Sequence, residues 1–131
     1  HWLLEHGYDE ITLLGALGGA RLEHTLANLA TGLYLAKNGV NVLLANERSE
    51  LRYLVPDRGL ILQRRGWKYL SLFPMEGRLT GVCIRGAFYP LENAVLTADY
   101  PLGVSNEFIA DTAQLQCSGG CGLVVLTRDD A

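Results

Sequence analysis

The sequence predicts an α/β unit followed by an all-β unit, because its hydrophobic pattern changes character near residue 50. Before that point, a short apolar strand at 11–14 leads into leucines at helical spacing, and a second apolar strand follows at 40–44. After that point, each apolar segment is short and bounded by turn residues. The chain therefore combines a strand–helix–strand unit with a strand-rich remainder.

The first unit spans residues 1–48. Its helix is predicted from leucines three or four residues apart and ends at Asn38–Gly39. These leucines are Leu22, Leu26, Leu29 and Leu33. Two strands joined through one helix are expected to run parallel, with a right-handed connection. Because the chain starts at His1 with what reads as a helix end closed by Gly7, we expect this unit to be truncated at its N-terminus.

The second unit spans residues 49–131, with the boundary placed near 46–49. Short strands recur there at intervals of about 8 to 12 residues with no helical period, which predicts a compact sandwich or barrel. The predicted strands are 50–55, 59–63, 69–73, 79–84, 94–97, 103–108, 112–117 and 123–127.

Composition excludes several classes of protein. The 131 residues are 49% hydrophobic, enough to bury a core. A net charge of −3 with 11 scattered basic residues predicts no nucleic-acid partner, and no apolar stretch approaches the roughly 20 residues of a bilayer span. Cys83, Cys117 and Cys121 lack the partners of a zinc site, so we expect reduced structural thiols in a cytoplasmic protein.

The turn between the first strand and the helix is the first candidate site. Gly18 and Gly19 would let the backbone approach phosphate oxygens, next to the unpaired amides of a helix N-terminus. Arg21 would donate to a phosphoryl group, and Glu23 could hold a Mg²⁺ ion that bridges two phosphates. His24 could donate to a phosphate or position a nucleophile. The pattern therefore indicates a polyphosphate and its metal ion.

A structural interpretation of the same turn stays open. The glycines could form only a tight turn, with Arg21 and Glu23 solvated and His24 capping the helix or filling the core. The run matches neither the GxxxxGK[ST] phosphate loop nor the GxGxxG dinucleotide motif. Asn28, one turn beyond His24 on the same helical face, favours the functional interpretation.

The second candidate site lies in the strand-rich half. Ser105 and Asn106 offer donors and acceptors suited to the edge of a heteroaromatic ring, and Val104 and Phe108 could supply apolar walls. The alternative is a local turn in which Ser105 and Asn106 bond to their own backbone.

These motifs resemble those of a known family. Residues 15–28 resemble the glycine-rich, Arg-Leu-Asp-His-Thr-Leu-Ala-Asn signature of bacterial thiamine pyrophosphokinases. Segments 71–74, 89–91 and 103–108 are similar to that family's later motifs, in the same order. The resemblance covers essentially the whole chain, which would correspond to about the C-terminal two-thirds of a bacterial family member.

The resemblance implies transfer of a pyrophosphoryl group from ATP to thiamine, giving thiamine diphosphate and AMP, with Mg²⁺. It implies a partial parallel α/β catalytic domain followed by an antiparallel β-sandwich, in a homodimer with thiamine at the subunit interface. Glu23 would take the metal-binding position, and Ser105 with Asn106 would hold the aminopyrimidine of thiamine. The residues predicted to face the nucleotide phosphates are Gly18, Gly19, Arg21, His24 and Asn28.

Two departures from the family pattern matter. Glu23 stands where the family usually has Asp, and the family's upstream acidic pair is absent from this chain. We therefore expect the segment alone to be catalytically incomplete. The competing hypothesis is a non-catalytic module, in which the sandwich binds or senses a small molecule.

Overall fold

The computed structural model describes residues 10–14, 22–99 and 105–128, and these ranges are mostly β-sheet with one helix. The elements are β1 Glu10–Leu14, α1 Leu22–Lys37, β2 Asn41–Ala45, β3 Ser49–Leu54, β4 Leu60–Gln63, β5 Tyr69–Pro74, β6 Arg78–Arg85, β7 Leu91–Thr97, β8 Asn106–Glu107, β9 Thr112–Gln116 and β10 Gly122–Thr127. Every predicted strand has a counterpart among them. The predicted helix end before Gly7 and residues 103–104 of one predicted strand lie outside the described residues.

The strand–helix–strand prediction is confirmed. β1 and β2 are parallel, in a register that runs from Glu10 opposite Asn41 to Leu14 opposite Ala45. The helix between them covers one face of the sheet, as expected for a parallel pair joined through a helix.

α1 ends where the sequence predicts, in a Schellman motif. The Val40 N–H donates to the Leu35 carbonyl at 3.0 Å, and the Gly39 N–H donates to the Ala36 carbonyl at 3.1 Å. Gly39 has a φ of 88°, the left-handed conformation that this motif requires. Leu35 and Val40 are both buried in the same apolar cluster, which completes the motif's hydrophobic contact.

The described strands form two sheets. One has six strands in the order β1-β2-β3-β10-β5-β8, and the other has four in the order β4-β9-β6-β7. Apart from the β1–β2 pair, the paired strands are antiparallel.

A sandwich core fills the space between the two sheets. Alternate residues of β4 are buried and exposed, which is the pattern of a strand with one face on a core. The largest fully buried members of the cluster are Leu54, Leu70, Leu72, Leu79, Ile84, Leu96, Leu115 and Leu126. They come from both sheets, so the strand-rich half is a sandwich rather than a closed barrel.

A second apolar cluster lies on the other face of the six-stranded sheet, under α1. It joins Leu35 and Ala36 of the helix to Val42 and Leu44 of β2 and Tyr53 of β3. The six-stranded sheet is therefore buried on both faces over part of its width.

The leucines whose spacing predicts α1 do not all lie on its buried face. Leu26, predicted within the apolar series of α1, is 57% exposed. Leu29 and Leu33 pack against the second cluster, and the buried side of the helix continues through Gly32 and Ala36. The spacing located the helix correctly but did not place Leu26 on its buried face.

The six-stranded sheet continues across the predicted domain boundary. β2 pairs with β3 antiparallel, with Leu44 opposite Leu51. The division into residues 1–48 and 49–131 stays a prediction. Among the described residues, no helix is both long and apolar enough to cross a membrane.

Candidate functional site

The predicted phosphate turn connects the end of β1 to the start of α1. β1 ends at Leu14 and α1 begins at Leu22, so the turn joins the carboxyl end of a parallel strand to a helix N-terminus. Ligands of α/β sheets characteristically bind at such an edge. Gly18, Gly19 and Arg21 lie outside the described residues, and their roles stay predictions.

Glu23 and His24 both lie in the first turn of α1 and are exposed. The hypothesis that His24 fills the core is therefore wrong, and its ring is accessible to a ligand. Glu23 is favourably placed for the helix dipole, which alone would explain a carboxylate there. Asn28 is partly buried and takes part in an interaction of its own.

Glu23 by itself does not make a metal site. The part of the chain that the structure describes contains no group of three or more His, Cys, Asp or Glu side chains able to hold a metal ion. Mg²⁺ commonly takes one or two carboxylates and completes its shell with water and substrate phosphates. Glu23 could supply one ligand, but the described residues supply no complete site.

Asn106 is the one buried polar residue within 10–14, 22–99 and 105–128, at 2% exposure. Its Oδ1 accepts hydrogen bonds from the Tyr89 N–H at 2.8 Å and the Glu107 N–H at 3.0 Å. Its Nδ2 donates to the Tyr89 carbonyl at 2.7 Å. The turn interpretation was therefore partly correct, because the side chain bonds to nearby backbone, although mainly to a loop distant in sequence.

Ser105 is exposed and has a φ of 60°, an uncommon value for a residue other than glycine. Its N–H donates to Ser71 Oγ at 2.8 Å. These hydrogen bonds bring the three later motif segments together. Ser105 bonds to Ser71 of segment 71–74, and Asn106 bonds to Tyr89 of segment 89–91. In the sequence Tyr89 stands out only as part of segment 89–91, and no local signal indicates its contact with Asn106.

The strands that adjoin the two candidate sites are the opposite edge strands of the six-stranded sheet that the described residues form. β1, which leads into the phosphate turn, is one edge strand, and β8, which carries Asn106, is the other. Four strands lie between them, so the usual strand spacing puts these edges on the order of 24 Å apart. The structure therefore does not bring Glu23 and His24 next to Ser105 and Asn106 within one chain.

A cavity of about 380 Å³ lies near the other end of α1 from Glu23 and His24. Its lining includes Lys37, Asp57, Arg58 and Glu76. Lys37 Nζ lies 2.6 Å from Glu76 Oε2, and this hydrogen bond raises the pKa of the lysine. The cavity contains none of the residues predicted for either site.

The three cysteines are free thiols, as predicted. Cys117 and Cys121 are buried, and burial raises the pKa of both thiols, that of Cys121 to about 11. A thiol with a raised pKa is a poor nucleophile because little thiolate is present at neutral pH. These two residues are therefore structural rather than catalytic.

Comparisons with known proteins agree on one family. The family model described as "Thiamin pyrophosphokinase, vitamin B1 binding domain" matches residues 60–122. The thiamine pyrophosphokinase of Bacillus subtilis (strain 168) is 25% identical over 128 residues, which are 98% of this chain and 59% of that protein. This chain therefore spans about three-fifths of the curated relative's length.

Solved structures share the fold. The crystal structure of thiamine pyrophosphokinase from Bacillus subtilis superposes with a TM-score of 0.88 at 23% identity, covering 98% of this chain and 60% of that one. The thiamin pyrophosphokinase family protein from Enterococcus faecalis gives a TM-score of 0.79 at 27% identity, with 98% and 60% covered.

The matched residues 60–122 include the sandwich strands from β4 to β9 and the segment with Ser105 and Asn106. The curated relative extends the similarity over nearly the whole chain, the glycine turn included. Together with the shared fold, these matches make the chain similar over nearly its whole length to thiamin pyrophosphokinases.

Proposed function

We propose that the protein containing this chain transfers a pyrophosphoryl group from ATP to thiamine, giving thiamine diphosphate and AMP. The observation that carries the proposal is the vitamin B1 binding domain matched at residues 60–122. Similarity to the Bacillus subtilis enzyme over 98% of the chain supports extending the proposal to the predicted phosphate turn. The proposal concerns the whole protein, because this chain spans 59% of that relative.

In the proposed reaction, the hydroxyethyl oxygen of thiamine forms a bond to the β-phosphorus of ATP. The bond from that phosphorus to the oxygen bridging it to the α-phosphate breaks, AMP leaves, and the hydroxyl proton is released. Negative charge increases on phosphate oxygens, so the protein's contribution is positioning and charge stabilisation. Arg21, His24 and the N-terminal amides of α1 would supply donors, with Gly18 and Gly19 permitting close approach.

Mg²⁺, when bound, would neutralise phosphate charge and orient the transferred group. Glu23 is the carboxylate of this chain that we propose as a ligand, and Asn28 would contribute a polar group one turn further along α1. Ser105 and Asn106 would form the thiamine side of the site. A cytoplasmic location, and the absence of nucleic-acid and membrane partners, remain predictions from composition.

The distance between the two candidate sites supports a homodimer. Because β1 and β8 are opposite edges of one sheet, a thiamine beside Ser105 is too far from the phosphates at the glycine turn of the same chain. A second copy that presents its turn to this Ser105 would complete the site.

The direct test is an assay of the purified full-length protein with thiamine and Mg²⁺-ATP. AMP and thiamine diphosphate are the expected products. ADP as the product would instead indicate transfer of a single phosphoryl group. Thiamine binding without AMP release would contradict the proposed reaction and favour the binding module.

Two variants separate the sites. We expect Arg21→Ala to lower turnover by about tenfold or more, because a phosphate donor is lost. We expect Ser105→Ala mainly to raise the KM for thiamine. Near-normal kinetics of Arg21→Ala would remove that residue from the site, and a change confined to the KM for ATP would contradict the role of Ser105.

A further inference from the structure

Asn106 holds a loop from a different part of the chain. The Tyr89 N–H donates to Asn106 Oδ1 at 2.8 Å, and Asn106 Nδ2 donates to the Tyr89 carbonyl at 2.7 Å. The side-chain amide of Asn106 thus accepts from the Tyr89 N–H and donates to the Tyr89 carbonyl, as the backbone of a paired β-strand would. Because Asn106 is buried, removing the amide would leave its backbone partners unsatisfied away from water.

The rest of that loop is fixed as well. The Phe88 N–H donates to the Glu107 carbonyl at 2.8 Å, and the Ile109 N–H donates to the Gly86 carbonyl at 3.0 Å. Ala87 and Phe108 form an antiparallel bridge. The backbone from Gly86 to Tyr89 is therefore held along its length against the segment that follows Ser105.

This rigid backbone presents two aromatic rings to solvent. Phe88 is 57% exposed and Tyr89 is 61% exposed. Their ring centroids are 4.8 Å apart and their planes are inclined by 79°, an edge-to-face pair. Scattered exposed hydrophobic residues are common, but an ordered aromatic pair beside a candidate binding segment is typical of a contact surface.

The chemistry of thiamine suits this surface. Its aminopyrimidine is aromatic, and its thiazolium ring carries a permanent positive charge. Aromatic faces attract cations and stack with heteroaromatic rings. Tyr89 is joined through Asn106 to the segment that carries Ser105, so one ligand could contact both.

We propose that Asn106 acts as a positioning residue, holding Tyr89 so that its ring, braced by Phe88, forms an aromatic wall for a ring of thiamine beside Ser105. This inference rests on the proposed thiamine-binding function. In this proposal Tyr89 contacts the substrate, and Asn106 affects thiamine binding through Tyr89.

The test is calorimetric titration of the full-length protein with thiamine, combined with a double-mutant cycle. We expect Tyr89→Ala to raise the Kd for thiamine roughly tenfold, the range of a lost aromatic contact with a cation. The control is Ile61→Ala, which removes a side chain of similar exposure, 68%, on β4, at the edge of the four-stranded sheet opposite β7. It is expected to leave the Kd unchanged.

Asn106→Ala should also raise the Kd by about fivefold or more in the wild-type background. With Tyr89 already alanine, the same change should raise it by less than about twofold, because coupled residues are non-additive. Should Asn106→Ala not fold, Asn106→Asp keeps an oxygen for the two accepted hydrogen bonds and loses the donated one, because an ionised carboxylate has no hydrogen to give to the Tyr89 carbonyl. An equal effect of the Asn106 variant in both backgrounds overturns the positioning role.

Hydrogen exchange in the absence of thiamine tests the positioning role of Asn106 separately from the proposed binding of thiamine. The Tyr89 amide should exchange at least about tenfold faster in Asn106→Ala than in wild type, because its acceptor is lost. Unchanged exchange overturns the positioning role whatever the protein binds. Wild-type protein that fails to bind thiamine overturns the proposed function, even if the Tyr89 amide is protected as expected.

Discussion

Gly32 shows how one residue sets the distance between α1 and the sheet. A Cβ atom at this position would lie 2.5 Å from Tyr53 Oη and 2.7 Å from Tyr53 Cε2. The Tyr53 hydroxyl also donates to the Leu29 carbonyl at 2.5 Å, so the ring is held against the helix. Gly32 costs helix propensity but permits this close packing.

We therefore predict that Gly32→Ala destabilises the protein, although alanine is the better helix former. Overpacking typically costs about 1–3 kcal/mol, and a contact as short as 2.5 Å calls for the upper part of that range, above the roughly 1 kcal/mol gained in propensity. Urea unfolding would measure the change. The control is Thr31→Ala on the exposed side of α1, expected to stay within about 0.5 kcal/mol of wild type. A Gly32→Ala protein that unfolds at higher urea concentration than wild type would contradict the prediction.

The Cys121 thiol and the Tyr53 hydroxyl, both buried on the helix side of the sheet, predict a loss of stability at alkaline pH, where such groups lose a proton. Burial raises the pKa of Cys121 to about 11 and that of Tyr53 to about 12. Each pKa is higher in the folded protein than in the unfolded chain, so the folded state keeps its proton longer. The stabilisation is present in full below about pH 9 and is lost as the pH rises to about 12.

The size of this loss follows from the shifts. A difference of two pKa units is worth up to about 3 kcal/mol for each group. The free energy of unfolding, measured in urea between pH 8 and 11.5, should first fall near pH 9, as unfolded Cys121 ionises. In Cys121→Ala the fall that begins near pH 9 should be smaller, because only the buried Cys117 thiol, whose pKa is also raised, then contributes there. A flat profile from pH 8 to 11.5 would contradict the prediction.

At the scale of elements, the end of α1 is determined by local sequence. Gly39 has a φ of 88°, and an added Cβ there would meet nothing within 4 Å. Any cost of a substitution therefore comes from the backbone conformation and not from a clash.

We predict that Gly39→Ala lowers the free energy of unfolding by about 1–2 kcal/mol, the cost of a left-handed conformation for a residue with a Cβ. Gly39→Asn should cost less, because asparagine tolerates this conformation better. Thermal unfolding monitored by circular dichroism would rank the three proteins. Equal stability of the alanine and glycine proteins would show that the helix can end in another way.

The sequence predicted the elements better than their arrangement. Turn residues and short apolar segments located the strands, since these signals are local. The position of β10 between β3 and β5 could not be predicted, because it depends on pairing between distant segments. The exposure of Leu26 was missed because periodicity identifies a helix more reliably than the limits of its buried face.

The candidate sites were predictable as motifs but not as geometry. Ser105 and Asn106 were identified by residue type, whereas the burial of Asn106 and its pairing with Tyr89 depend on the loop between β6 and β7. Glu23 and His24 were correctly assigned to the start of α1, where both are exposed. Whether they contact phosphate is still a prediction.

At the scale of the whole molecule, the separation of β1 and β8 has a consequence for catalysis. If the phosphate turn of one subunit serves the thiamine segment of its partner, each site needs residues from two chains. A dimer with two-fold symmetry would then contain two such composite sites. A variant defective in the turn and a variant defective in the thiamine segment should therefore complement each other.

We predict that mixing Arg21→Ala and Ser105→Ala subunits restores activity. After subunit exchange at equal concentrations, about half of the dimers are mixed, and each mixed dimer has one intact site and one doubly defective site. AMP release, measured at thiamine below its KM, should reach about a quarter of the wild-type rate. Each parent variant alone should give about a tenth or less.

The control is a mixture of Arg21→Ala with an Arg21→Ala/Ser105→Ala double variant, in which no arrangement creates an intact site. Its rate should not exceed that of Arg21→Ala alone. If each site were built within one chain, the mixture of single variants would also show no gain, because no chain in it carries both intact residues. Such a result, from dimers verified to have exchanged subunits, would mean that the turn and Ser105 approach each other within one chain, in contradiction to the sheet order.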